Sequence, residues 1–179
     1  MVKYRCKFNP WWALAALLVA ASAWAGGPAV PVTRNLQADG ASSTQRGVPI
    51  MLVFSAPGCR YCRLLDKDFL KPMLISGDYT NKVLIRKVMI GNDATLVDFS
   101  GKQEPADKLA RDYHVHVTPT VLFLDAKGHQ LAPPMVGVSS PDYYGSYLDQ
   151  SITAALKRLH AEQRSATTTS NTKQTAASS

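Results

Sequence analysis

Apolar positions recur along this chain in more than one rhythm, and each rhythm predicts a different element. Ile50-Met51-Leu52-Val53-Phe54 is an unbroken apolar run, which suits a central strand buried on both faces. Beyond it Leu64, Leu65, Phe69 and Leu70 recur at helical spacing, and Pro72 is expected to end or kink that helix. Residues 82–90, rich in Val and Ile, predict a second strand. Gly91 to Gln103 carries turn residues around a short apolar piece, Thr95 to Phe99, and predicts a small hairpin. Pro105 at a first helical position, with Leu109 and Tyr113 four apart, marks another helix. Val121 to Leu124 reads as a strand, and the turn Asp125-Ala126-Lys127-Gly128 leads back into an antiparallel partner ending near Val138. Ser140-Pro141-Asp142 starts a closing helix whose Tyr144, Leu148, Ile152, Ala155 and Leu159 share one face. Ahead of all these, Thr33 to Arg46 has room for one short helix before Gly47-Val48-Pro49. The predicted order is helix, strand, helix, strand, helix, hairpin, helix, an α/β chain without an internal repeat.

The two ends are patterned differently. Lys3, Arg5 and Lys7 precede an apolar stretch of eleven residues, Trp11 to Ala21, and Ala23-Trp24-Ala25 follows as a small-x-small site. That stretch is shorter than the ~20 residues of a membrane-spanning helix, so residues 1–25 read as a cleaved secretory signal, with an uncleaved membrane anchor as the alternative. Residues 26–45 are a lead-in and residues 46–163 the domain. Residues 164–179, a Thr/Ser/Ala/Gln tract with almost no apolar content, are expected to form a disordered tail, because they bury too little to offset the entropy of ordering.

Removing residues 1–25 changes the composition. It takes away Cys6, all three tryptophans and three basic residues, leaving 17 basic against 13 acidic side chains, a net charge of +4. A charge so small and so scattered gives no case for nucleic acid. The cysteines that remain are Cys59 and Cys62.

Cys59 falls where the first strand turns into a helix. A sulfur in a first helical turn faces unpaired backbone N–H groups and the positive end of the helix dipole, both of which favour thiolate, the nucleophilic form. Cys62 follows one turn later on the same side, where it can attack a mixed disulfide formed at Cys59. Arg60, beside the nucleophile, adds positive charge and favours the reduced form, which makes the disulfide more oxidising. Other uses of the pair have weaker support. A zinc site would need His114 and His116, alternate residues of an extended segment, since no second cysteine pair is present. A structural disulfide across so short a loop contributes little chain-entropy stabilisation. Redox exchange is the favoured chemistry.

At these residues the chain resembles a family. Phe54-Ser55-Ala56-Pro57-Gly58-Cys59-Arg60-Tyr61-Cys62 is similar to the active-site turn of the thioredoxin superfamily. Val117-Thr118-Pro119-Thr120-Val121 is similar to its cis-proline segment, and Asp125-Ala126-Lys127-Gly128 to the hairpin turn behind it. The resemblance spans about residues 45 to 160. It is greatest to secreted bacterial members, such as those accompanying periplasmic sulfur oxidation and the catalytic domains of Dsb-type enzymes. It implies a thioredoxin fold, with a central mixed β-sheet flanked by helices. It also implies that Cys59 attacks, Cys62 resolves, and a cis Thr118–Pro119 bond presents backbone groups to the substrate chain. Arg60 and Tyr61 replace the usual residues between the cysteines and would tune their acidity. Val53 stands where the family's buried carboxylate is expected, and Lys67 where a helix proline is expected, so equivalence to a general cytoplasmic reductase does not follow.

The expected function is therefore a monomeric periplasmic thiol:disulfide oxidoreductase that needs no cofactor and no metal. Its partners would be cysteine-containing exported proteins and an upstream membrane or periplasmic redox partner. A dimeric isomerase is disfavoured because only about 20 mature residues precede the domain. The alternative is a non-enzymatic partner-binding or Cys/His zinc-binding protein on the same scaffold. Arg60, Arg63, Lys67 and Lys71, at helical spacing, form either a solvated face or a docking stripe for an acidic partner. His129 and His160 are expected at the surface, and Tyr143, Tyr144 and Tyr147 in ordinary packing roles.

Overall fold

A computed structural model describes residues 28–176, with side chains as far as residue 166; the predicted signal segment lies outside the described residues. The chain runs α1 (Leu36–Arg46), β1 (Ile50–Ser55), α2 (Arg60–Leu65), a π-helical turn (Asp66–Leu70), α3 (Lys71–Ser76) and β2 (Leu84–Met89). It continues through β3 (Thr95–Val97), β4 (Gln103–Pro105), α4 (Ala106–Asp112), β5 (Thr120–Leu124), β6 (Gln130–Val136) and α5 (Pro141–Ala176).

The main sheet has the order β2-β1-β5-β6, with β1 parallel to β2 and antiparallel to β5. β1 is central because it is apolar at every position except Ser55, and all six of its residues are buried. Alternation then sorts its side chains by layer. Met51 and Val53, with Ile85, Val121 and Phe123, pack against Leu65, Leu70 and Met73 and against Tyr144, Leu148 and Ile152 of α5. Ile50, Leu52 and Phe54, with Leu84, Val88, Leu122 and Leu124, meet Leu36 of α1 and Leu109 and Ala110 of α4 on the other face. The result is a mixed sheet flanked by helices, with β3 and β4 forming a separate hairpin.

Several elements differ from the sequence expectation. The lead-in is an integral part of the domain. Asn35 caps α1 by accepting the Ala38 N–H at 2.9 Å, and Leu36 is fully buried. Thr33 Oγ1 and Arg86 Nε both donate to the buried Asp39, and residues 31 and 33 bond to Lys87 along the outer edge of β2. Pro72 does not end its helix but follows a local distortion of it. The chain widens just before it, with the Lys71 N–H donating to Asp66 O, and this π turn absorbs the bond a proline cannot make. Pro105 precedes α4 as its cap residue instead of opening the helix, because pairing of β4 with β3 holds it extended. The backbone of α5 is helical to Ala176, across the residues expected to form a disordered tail. A helix already anchored by Tyr144, Leu148, Ile152, Ala155 and Leu159 propagates without a new nucleus, and Ala and Gln are tolerant of it. His160 lies on that helix half-buried and bonds Gly47 O through Nε2 at 2.9 Å, tying α5 to the end of α1.

Gly40 sets the approach of α1 to the hairpin. A Cβ there would sit 2.3 Å from Ala126 O, a backbone atom with little freedom to move. Gly40→Ala gains about 1 kcal/mol of helix propensity but must push α1 off the turn, so a net loss of about 1–2 kcal/mol is expected in urea unfolding. A gain in stability would show that α1 is not seated there.

Candidate active site

The cysteines are placed by a strand that ends and a helix that begins. β1 ends at Ser55, and Gly58 turns the chain with φ +73, open space around its α-carbon showing that backbone conformation is what requires glycine. Cys59 is the N-cap residue of α2, and Cys62 lies one turn in; the two are joined as a disulfide. Their surroundings differ. Cys59 is half-buried and its Sγ accepts the Cys62 N–H at 3.1 Å, whereas Cys62 is buried, 4% exposed. A backbone donor aimed at the outer sulfur stabilises negative charge there.

The segment from Val117 to Thr120 closes over the outer sulfur. The Thr118–Pro119 bond is cis, and Thr118 O stands 3.6 Å from Cys59 Sγ. Thr120 Oγ1 donates to Val117 O at 2.7 Å, and Gly137 N–H donates to Pro119 O at 2.8 Å, so neighbouring strands hold this segment from both sides. Pro119 itself is buried. Tyr61, Val117 and Val136 are each more than half exposed and give the mouth of the site an apolar rim. A groove of about 400 Å³ leads away from it, lined by His114, His116, Val117, Thr120, Pro134 and Val136.

This geometry coincides with a family match. Residues 36–152 match the model of the thioredoxin-like domain. The chain belongs to the thioredoxin-like family. Its C-x-x-C pair, set at a strand-to-helix turn, makes it a thiol:disulfide oxidoreductase. Among solved structures it is similar to thioredoxin O2 from Arabidopsis thaliana in the oxidized state, at 21% identity over 67% of this chain and 91% of that one, TM-score 0.45. It is also similar to a thioredoxin from Nicotiana alata (20% identity, 70% and 98% covered, TM-score 0.45) and to a poplar thioredoxin h (16%, 63% and 84%, TM-score 0.45). No curated protein sequence matches the chain.

The other residues singled out in the sequence have separate positions on this thioredoxin-like domain. Arg60, Arg63, Lys67 and Lys71 are all exposed. Arg60 therefore acts on the pair through solvent, and Arg60→Gly is expected to make the pair only slightly more reducing in a glutathione redox titration. A large shift would mean that the side chain lies over the sulfurs in solution. His114 and His116 are exposed and do not assemble with the cysteines. Among the described residues no three His, Cys, Asp or Glu side chains gather closely enough to share a metal ion. Tyr144 is buried against Phe69, ring centroids 5.1 Å apart, and burial pushes its phenol up to about 12; Tyr143 and Tyr147 are exposed.

One polar feature beneath the site went unread in the sequence. Lys87, buried in β2 directly opposite Val53, donates to Asp66 Oδ2 from below the helix that carries the cysteines. Two signals pointed to it. Lys87 keeps the core-facing phase of Val83 and Ile85, and Asp66 follows Cys62 by one helical turn.

Proposed function

We propose that Cys59 is the attacking thiol and Cys62 the resolving one, and that the enzyme reduces or exchanges disulfides of exported proteins outside the cytoplasm. The observation that carries this reading is the asymmetry of the pair. The outer sulfur is reachable, receives a backbone N–H and faces Thr118 O across an apolar rim, while the inner sulfur is screened from solvent. A reactive thiol among exposed apolar side chains and a free-facing backbone carbonyl suits an extended polypeptide better than a small thiol. The export half of the reading rests on the basic, then apolar, then small-x-small order of residues 1–25. An upstream membrane or periplasmic redox partner would set the direction of electron flow, and the domain would work as a monomer.

The test is to produce the whole chain in a bacterium and fractionate the cells by osmotic shock. The protein is expected in the shock fluid. Because Trp11, Trp12 and Trp24 all precede the cut, the released protein should show tyrosine emission only. Tryptophan emission from a membrane fraction would instead establish an anchored enzyme, and recovery with the cytoplasmic fraction would overturn the export reading.

A further inference from the structure

Resolution of a mixed disulfide at Cys59 makes a demand that Cys62 cannot meet alone. Its thiol must lose a proton before it attacks, yet it is 4% exposed, and burial away from water disfavours a charged sulfur. Val53, on the strand beneath, is aliphatic. Ser55, the one polar side chain of β1, is a hydroxyl and no base at neutral pH.

Asp66 is differently equipped. Its backbone N–H donates to Cys62 O, so the two residues occupy successive turns of one helix, where side chains four apart are neighbours. Oδ2 is bound to Lys87 Nζ, while Oδ1 is buried and has no hydrogen-bond partner. Among the described residues only Tyr144 Oη shares that condition. A buried acceptor left open costs stability, and a pair serving structure alone has no use for it. The π turn, a distortion frequent at functional sites, begins at Asp66. Few other charges compete. Arg63, Lys67 and Asp68 on the same helix are exposed, and Arg86 lies on the opposite face of β2 bound to Asp39. The residues α5 turns towards this layer are Tyr144, Leu148 and Ile152.

We propose that Asp66 Oδ1, in a carboxylate held by Lys87, accepts the Cys62 proton during resolution. The proposal rests on the attacking and resolving roles given above. Cys59 thiolate first attacks the substrate disulfide, forming a mixed disulfide and releasing one substrate sulfur as thiolate. The Cys62 proton then passes to Asp66 Oδ1, and Cys62 thiolate attacks Cys59 Sγ. The Cys59–substrate bond breaks and the second substrate sulfur leaves as thiolate. The enzyme dithiol loses two electrons to become the disulfide, the substrate disulfide gains them, and the proton on Asp66 passes to solvent. In the opposite direction the same carboxyl returns the proton to Cys62.

Rapid mixing of the reduced full-length protein with Ellman's reagent separates the steps. One coloured thiolate is released when Cys59 attacks, and another when Cys62 resolves. Asp66→Asn combined with Lys87→Met removes the acceptor without leaving a buried charge. Its first phase is expected within about twofold of the wild type and its second slowed about a hundredfold. The residual second phase should rise in proportion to hydroxide, and Asp66→Glu should retain part of the rate. A folded double variant whose second phase keeps the wild-type rate and pH profile overturns the proposal. Absence of a first phase in the wild type would instead remove the reading beneath it.

Discussion

Cys62→Ser is expected to stop at the mixed disulfide, holding a substrate protein covalently at Cys59, while Cys59→Ser captures nothing. Turnover in an insulin-reduction assay should fall at least about a thousandfold in both, since neither variant can complete the cycle. The two sulfurs are chemically identical and differ only in placement. Cys59 sits at the start of α2, accepts the Cys62 N–H and faces Thr118 O from a half-buried position, whereas Cys62 is 4% exposed. A substrate disulfide is therefore expected to approach only the first. Trapping is read by non-reducing electrophoresis after acid quenching. Equal adducts from both variants would mean that the helix opens far enough to expose Cys62, and the assignment of roles would fail.

Lys87→Met should be the most damaging single change in the core polar groups, lowering the unfolding free energy by about 3–5 kcal/mol. The lysine is buried in β2 and Asp66 Oδ1 is already shielded and unpartnered, so removing the ammonium leaves a part-buried carboxylate, its side chain 23% exposed, without its counter-charge. The companion change Asp66→Asn, made in the same chain, is expected to restore most of the loss, because removing both charges removes the desolvation cost as well. Urea unfolding of the oxidised protein checks both. A loss below about 1 kcal/mol for Lys87→Met would show that water reaches Asp66 and that the pair behaves like a surface one.

Much of the fold was legible because its signals are local. The apolar run Ile50 to Phe54 suited a central strand, and the spacing of Tyr144, Leu148, Ile152, Ala155 and Leu159 matched a helix face that is buried throughout. Where local signals compete, they misled. Pro72 carries a helix-breaking signal, yet Leu70 and Met73 on either side of it are buried, and packing kept the helix going through a π turn. Residues 164–176 lack an apolar face, but a helix begun elsewhere extends through them.

By itself the sequence determined the α/β order and the redox pair Cys59 and Cys62, because chain spacing and residue chemistry suffice for each, while the proline segment 117–121 was legible only through its resemblance to the thioredoxin superfamily. Only the tertiary structure decided that Thr118 O lies against Cys59 and that Lys87 and Asp66 join beneath the helix. The physical reason is distance along the chain. Thr118 is 59 residues from Cys59 and Lys87 is 21 from Asp66, and no periodic pattern carries information about which side chains a folded sheet will bring together across such gaps.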